Sequence, residues 1–188
     1  MRNLPLLTIA SQNYLPSART LAYSFREHHP NSPIFLCLVD RVSHAADFSA
    51  EPFTIIPVEQ LHIPGWENMA LRYNIAEANT SVKAFALNYL FEVYQLDRIL
   101  YLDPDIFVYR PLHELDELLN AHDIILTPHI LEPAEDTGRQ PTLHSLLLMG
   151  AYNTGLVAFS RSTETFRFLD WLHNRLRENC ALDPWHGF

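Results

Sequence analysis

Short apolar runs and longer amphipathic segments take turns along this chain. Leu6–Ala10 reads as a strand, and Leu15–His28 as a helix with Ala18, Leu21, Ala22 and Phe25 at helical spacing. Pro30-Asn31-Ser32-Pro33 ends that helix, and Ile34–Val39 is a continuous apolar strand of the buried, parallel kind. A polar connection over Asp40–Pro52 leads to a strand at Phe53–Val58, and short pieces surround Pro64 and Gly65. Thr80 caps a predicted helix running to Gln95, whose apolar positions Val82, Phe85, Ala86, Tyr89, Leu90 and Val93 cover a wide face. Arg98–Leu102 is a strand, extended structure resumes at Ile106–Tyr109, and Leu112–Leu119 is a short helix with Pro111 placed for its first turn. A strand at Asp123–Thr127, a polar loop over 132–142 and a helix at Leu143–Met149 follow. The chain closes with a strand at Leu156–Ser160 and a helix over Phe166–Asn179 begun by Ser162. This rhythm predicts α/β architecture with a largely parallel sheet in one domain.

Composition narrows the function. The 188 residues are 48% hydrophobic and 19% charged, enough chain to bury a sizeable core. Twenty-two acidic against thirteen basic residues give a net charge of −9. That balance argues against general binding of nucleic acid or anionic membrane, whose phosphates need clustered cations. The glycines, at 65, 138, 150, 155 and 187, lack G-x-G-x-x-G or G-x-x-x-x-G-K spacing, which excludes a glycine cradle for phosphates. Two cysteines make no disulfide framework, and a reducing, cytoplasmic setting is the expectation. No apolar run has the length of a membrane span. The histidines show no zinc-ligand spacing, and no G-x-S-x-G elbow is present.

The sharpest local signal is Asp103-Pro104-Asp105, directly after the apolar strand Ile99-Leu100-Tyr101-Leu102. Ligands of open α/β sheets bind at the carboxyl ends of strands. Two carboxylates at i and i+2, with Pro104 fixing φ between them, point the same way and suit Mg²⁺ or Mn²⁺. The same three residues are also good turn chemistry without a ligand. Lys83, the only lysine, lies in an otherwise apolar stretch, where it needs a carboxylate or phosphate unless its stem snorkels to a helix end. Asn153 enters a strand, and Gly155 either admits a ligand to the backbone or serves a structural turn. Gln12, Asn13 and Tyr14 follow the first strand, with an N-cap role for Asn13 as the competing reading.

RILYLDPDIFVYRPLHEL (98–115) resembles the D-x-D block of GT-A nucleotide-sugar glycosyltransferases, especially glycosyltransferase family 8 and its bacterial relatives. ASQNYL (10–15), NTSVKAF (79–85) and AYNTGLVAFSR (151–161) are similar to three further blocks of that family, in the same order. The resemblance implies a Rossmann-like three-layer α/β/α sandwich with a mostly parallel mixed sheet. It implies metal-dependent transfer of a sugar from a nucleotide donor, UDP-linked by expectation, to an unknown acceptor (saccharide, lipid or protein). Asp103 and Asp105 would hold Mn²⁺ or Mg²⁺ against the diphosphate, and Lys83 would approach the diphosphate or orient an aspartate. Ala10, Gln12, Asn13 and Tyr14 would border base and ribose; Asn153 and Gly155 would line the sugar or acceptor side. Ala84 stands where relatives often have proline, and the chain stops at Asp183-Pro184-Trp185-His186-Gly187-Phe188, before the family's usual Asp-Gln block. Residues 1–188 therefore read as a nucleotide-sugar-binding domain lacking a C-terminal portion. The alternatives are a non-catalytic binding module and a haloacid-dehalogenase-type phosphohydrolase. The second fits poorly, because its motif belongs near the start of the chain with a lysine after it.

Overall fold

The structure is a computed structural model that describes residues 3–41, 47–132, 142, 144 and 150–180. The strands are β1 (Leu6–Ala10), β2 (Ile34–Leu38), β3 (Thr54–Pro57), β4 (Arg98–Leu102), β5 (Ile124–Pro128) and β6 (Tyr152–Ser160). They form one sheet in the order β3-β2-β1-β4-β6-β5. Strands β3, β2, β1 and β4 run parallel, and β6 is antiparallel to both β4 and β5. The mostly parallel mixed sheet matches the expectation.

Every residue of β1, β2 and β4 is buried, as in a sheet covered on both faces by helices. Helix α1 (Leu15–His28) covers one face, placing Ala18, Leu21, Ala22 and Phe25 against Leu6, Leu36 and Leu100. Helix α5 (His113–Leu118) adds Leu115 to that layer. Helices α2 (Trp66–Arg72), α3 (Ile75–Ser81), α4 (Lys83–Val93) and α6 (Thr163–Glu178) contribute to the other layer. There Met69, Ala78, Leu87, Phe91 and Leu169 meet Leu7, Ile9, Cys37 and Ile99.

Local chemistry moved several boundaries. The helix expected from Thr80 to Gln95 is α4, which starts only at Lys83, and Thr80 belongs to the preceding α3, which Asn74 and Glu77 start with a capping box. The Asn74 side-chain oxygen accepts from the Ala76 and Glu77 N–H groups, each at 3.0 Å, and Glu77 accepts from Asn74 N–H at 2.8 Å. Thr80 lies inside α3 and turns its hydroxyl back to the Ala76 carbonyl. Ile106–Tyr109 forms no strand, since Val108 N–H goes to the Ser24 hydroxyl of α1 rather than to the sheet. Strand β6 starts at Tyr152, four residues ahead of the predicted Leu156, across an irregularity in its pairing with β5. The helix expected at Leu143–Met149 lies outside the described residues apart from helical His144, as does most of the 132–142 loop.

Candidate functional site

Strands β1 and β4 are parallel neighbours, paired through Leu6↔Leu100 and Leu7↔Tyr101. The two segments that follow these parallel strands therefore leave the same, carboxyl edge of the sheet. At the end of β4, the Asp103 N–H donates to the Gly155 carbonyl at 2.8 Å and ties the D-x-D turn to β6. Tyr101 and Asp103 share a strand face, and the Tyr101 hydroxyl donates to Asp103 Oδ1 at 2.7 Å. Burial first, then the Asp103 charge, raise the Tyr101 phenol well above its ordinary value and keep it a donor. Asp105 is exposed, two residues beyond Asp103 in the turn that follows β4.

Lys83 begins α4 and is 7% exposed. Its Nζ donates to the Thr154 carbonyl at 2.9 Å and lies 4.0 Å from the centre of the Tyr101 ring. Asp103 Oδ1 is 3.8 Å away, beyond hydrogen-bond distance but close for two opposite charges. Burial lowers the Lys83 pKa to about 8, with Asp103 opposing the shift. The Thr154 carbonyl is presented by the irregularity in β6. Pairing passes from Leu126↔Val157 directly to Thr127↔Asn153, so Thr154–Leu156 are extra residues on β6. The Asn153 side chain closes this bend by accepting the Gly155 N–H at 2.7 Å. A Cβ on Gly155 would stand 2.9 Å from both Asp103 Oδ2 and Asn153 Oδ1, so the close approach explains the glycine.

After β1, Gln12–Tyr14 form a single 3-10 turn. Gln12 N–H donates to the Asp40 carboxylate, its side-chain amide reaches the Arg41 carbonyl at 3.3 Å, and Ser11 donates to Asn13 Oδ1 at 2.5 Å. Asn13 does not cap α1, whose N-cap position is Tyr14. Tyr14 is half exposed, whereas Ala10 is fully buried with its carbonyl accepting from Val39 N–H. Beside Asp40 and Arg41 opens a cleft of about 560 Å³, walled by Trp66, Leu71, Tyr73 and Ile75. The structure thus groups Lys83, Asp103, Asn153 and Gly155 by direct contact, and brings Gln12, Asn13 and Tyr14 to the same sheet edge. Tyr101, the Thr154 carbonyl and Asp40 are parts of this edge that the sequence reading missed. Strand alternation signals Tyr101 two residues before Asp103; nothing local signals a carbonyl supplied by a bulge.

The model of glycosyl transferase family 8 matches residues 5–145. The chain belongs to this family. The uncharacterized protein YfnF of Bacillus subtilis (strain 168) is 24% identical over 190 residues, a match covering 96% of this chain and 60% of YfnF. The galactosyltransferase LgtC, solved with donor and acceptor sugar analogs, superposes with a TM-score of 0.55 at 16% identity, over 93% of this chain and 66% of LgtC. The glycosyltransferase GlyE of Streptococcus pneumoniae TIGR4 has a TM-score of 0.55 at 16% identity, over 98% of this chain and 42% of GlyE. These likenesses show the GT-A fold. The chain spans about 60% of the length of its curated relative. Among the described residues, no helix is long and apolar enough to cross a membrane.

Proposed function

We propose that this family 8 chain binds a nucleotide sugar, UDP-linked, and serves metal-dependent transfer of the sugar to an acceptor. The observation that carries the proposal is the incomplete pairing of Lys83 with Asp103 at the carboxyl end of β4. A buried ammonium 3.8 Å from a carboxylate, with Thr154 O as its one hydrogen-bond acceptor among the described residues, has donors left for a diphosphate.

The donor set fits a divalent cation. Asp103 is 42% exposed at its side chain and Asp105 is exposed, and among the described residues no cluster of three or more His, Cys, Asp or Glu side chains is poised around a metal. Two carboxylates suit Mn²⁺ or Mg²⁺, hard cations that keep several waters and take phosphate oxygens. When bound, such an ion neutralises charge on the leaving diphosphate. The protein's own part is orientation. Tyr101 holds one Asp103 oxygen by hydrogen bond, Gly155 leaves room for the other, and Lys83 adds a fixed positive charge. Gln12, Asn13 and Tyr14 border the nucleoside, and Gln12 is tied to Asp40 and Arg41, which line a neighbouring cleft of about 560 Å³. Asn153 and Gly155 face the sugar side, and the acceptor is a saccharide, lipid or protein. A cytoplasmic setting supplies such donors.

The test is binding of a nucleotide-sugar panel, with and without Mn²⁺, by thermal shift and calorimetry. Wild type should respond in a Mn²⁺-dependent way, and Asp105→Ala should weaken donor binding by about 10–100-fold. No response to any nucleotide sugar would sink the proposal. Hydrolysis of the bound donor then separates an enzyme from a binding module.

A further inference from the structure

A second cleft, of about 620 Å³, opens on the outer side of α4 between that helix, the 3-10 turn Val58–Leu61 and α6. Its volume falls in the ordinary range for small-ligand sites, about 300–1,000 Å³. Phe85, Asn88, Tyr89 and Glu92 line it from α4. At 3.6 residues per turn these four lie about 140–240° around the helix from Lys83, so the cleft faces away from the D-x-D site. His173 of α6 closes one side, its ring 4.9 Å from that of Phe85.

The lining chemistry selects a ligand class. Phe85 and Tyr89 sit one helical turn apart and offer aromatic rings on the same side. The Tyr89 hydroxyl donates to Gln60 Oε1 at 3.3 Å. Asn88 Oδ1 and His173 Nδ1, without a hydrogen-bond partner among the described residues, are sealed from solvent, which leaves Gln60 and Glu92 as reachable polar groups of the cleft. His173 Nδ1 lies 3.8 Å from the Asp170 carboxylate, too far for a hydrogen bond. Among the described residues no lysine or arginine lines the cleft, and Glu92 is its carboxylate, so its charge disfavours phosphorylated ligands. A hydroxyl both donates and accepts, and suits the exposed Gln60 amide and Glu92 carboxylate that line the cleft. A ring with one apolar C–H face and several hydroxyls meets the aromatic and polar walls together.

We propose that this cleft is a second binding site, separate from the donor site, for a neutral saccharide. The inference stands on the cleft's own lining and does not depend on the donor assignment. The test is ¹⁵N-edited NMR of the whole chain, titrated with neutral oligosaccharides built from glucose, galactose and N-acetylglucosamine. Shifts should appear at 60–62, 85–93 and 173, persist in Asp105→Ala, and persist with UDP and Mn²⁺ present. Tyr89→Ala should weaken binding at least tenfold, and Tyr89→Phe, which keeps the ring, should retain most of it. Glu92→Ala, at an exposed position, supplies the same comparison if Tyr89→Ala does not fold. The proposal is overturned if no saccharide shifts these resonances, or if the shifts fall at 12–14 and 103–105. Unchanged affinity in a folded Tyr89→Ala or Glu92→Ala protein also overturns it. UDP shifts at 12–14 and 103–105 report on the donor site in the same spectra, so either reading can fail alone.

Discussion

Strand β4 carries a cation–carboxylate pair at each end, and the two are built differently. At its start, Arg98 is 6% exposed and pairs with the Asp116 carboxylate. Its guanidinium also donates to the Asp116 carbonyl at 3.0 Å and to Asn120 Oδ1 at 3.4 Å. At its end, Lys83 stays 3.8 Å from Asp103, whose side chain is 42% exposed. The first pair is closed on itself by protein acceptors, which is what a buried charge needs for stability. The second combines a desolvated ammonium with a reachable carboxylate and leaves donors unused. Pairing is complete at one end of β4 and incomplete at its carboxyl edge, the contrast on which the proposed donor site rests.

The largest effects should therefore split by end. Asp116→Ala leaves the Arg98 guanidinium buried without its carboxylate, a loss of about 3 kcal/mol. For a chain of this length that lowers Tm by about 6–12 °C. Donor affinity of the folded protein should stay within twofold of wild type. Lys83→Met should do the reverse. Its methionine fills the space of the lysine stem, and Tm should move by no more than about 3 °C, since the Asp103 carboxylate left behind is 42% exposed and solvated by water. Donor affinity should fall by about 10–100-fold, the worth of a hydrogen bond to a charged group. Calorimetric unfolding and donor titration on both variants decide this; equal losses in both measurements would erase the distinction.

How much of this was legible beforehand follows the range of the signals. The buried runs of β1, β2 and β4 and the apolar face of α1 are periodic, so the sheet and its first layer could be read from the chain. Asp103 and Asp105 were legible because a strand end and a proline fix their geometry within three residues. The start of α3 lay in Asn74-x-x-Glu77, a capping box available in the sequence and overlooked in favour of Thr80. The contact of Lys83 with the Thr154 carbonyl spans 71 residues and depends on an irregularity in β6, which period-two alternation does not encode. The aromatic cleft on α4 was hidden for another reason: Phe85 and Tyr89 were counted into a wide apolar face expected to be buried.

Gly155 tests the active end more gently. A methyl group there meets only the tips of two side chains, Asp103 Oδ2 and Asn153 Oδ1, so the fold should adjust with little loss of Tm. The displaced carboxylate should cost about tenfold in Mn²⁺-dependent donor binding, the lower range for disturbing a ligand's support. If Gly155→Ala binds donor as wild type does, Asp103 is not held by this contact.

The smallest effect belongs to the closed end and appears with acid. His29, 8% exposed, stacks on Phe25 with ring centres 4.6 Å apart and accepts the Leu112 N–H on Nε2 at 3.0 Å. Accepting there requires the neutral imidazole. Burial, then the neighbouring charges of His113 and His28, lower its pKa from 6.5, against a small opposing pull from Asp116. A pKa lower in the folded than in the unfolded chain means that the unfolded state binds more protons. The stabilisation is therefore complete above about pH 6.5 and is lost as pH falls through the depressed native value. Protonation also leaves the Leu112 N–H without its acceptor, at a cost of about 1 kcal/mol. Tm measured from pH 7.5 to 5 should fall less steeply in His29→Gln, whose amide oxygen accepts the same N–H and does not titrate. Parallel slopes in the two proteins would place the acid sensitivity elsewhere.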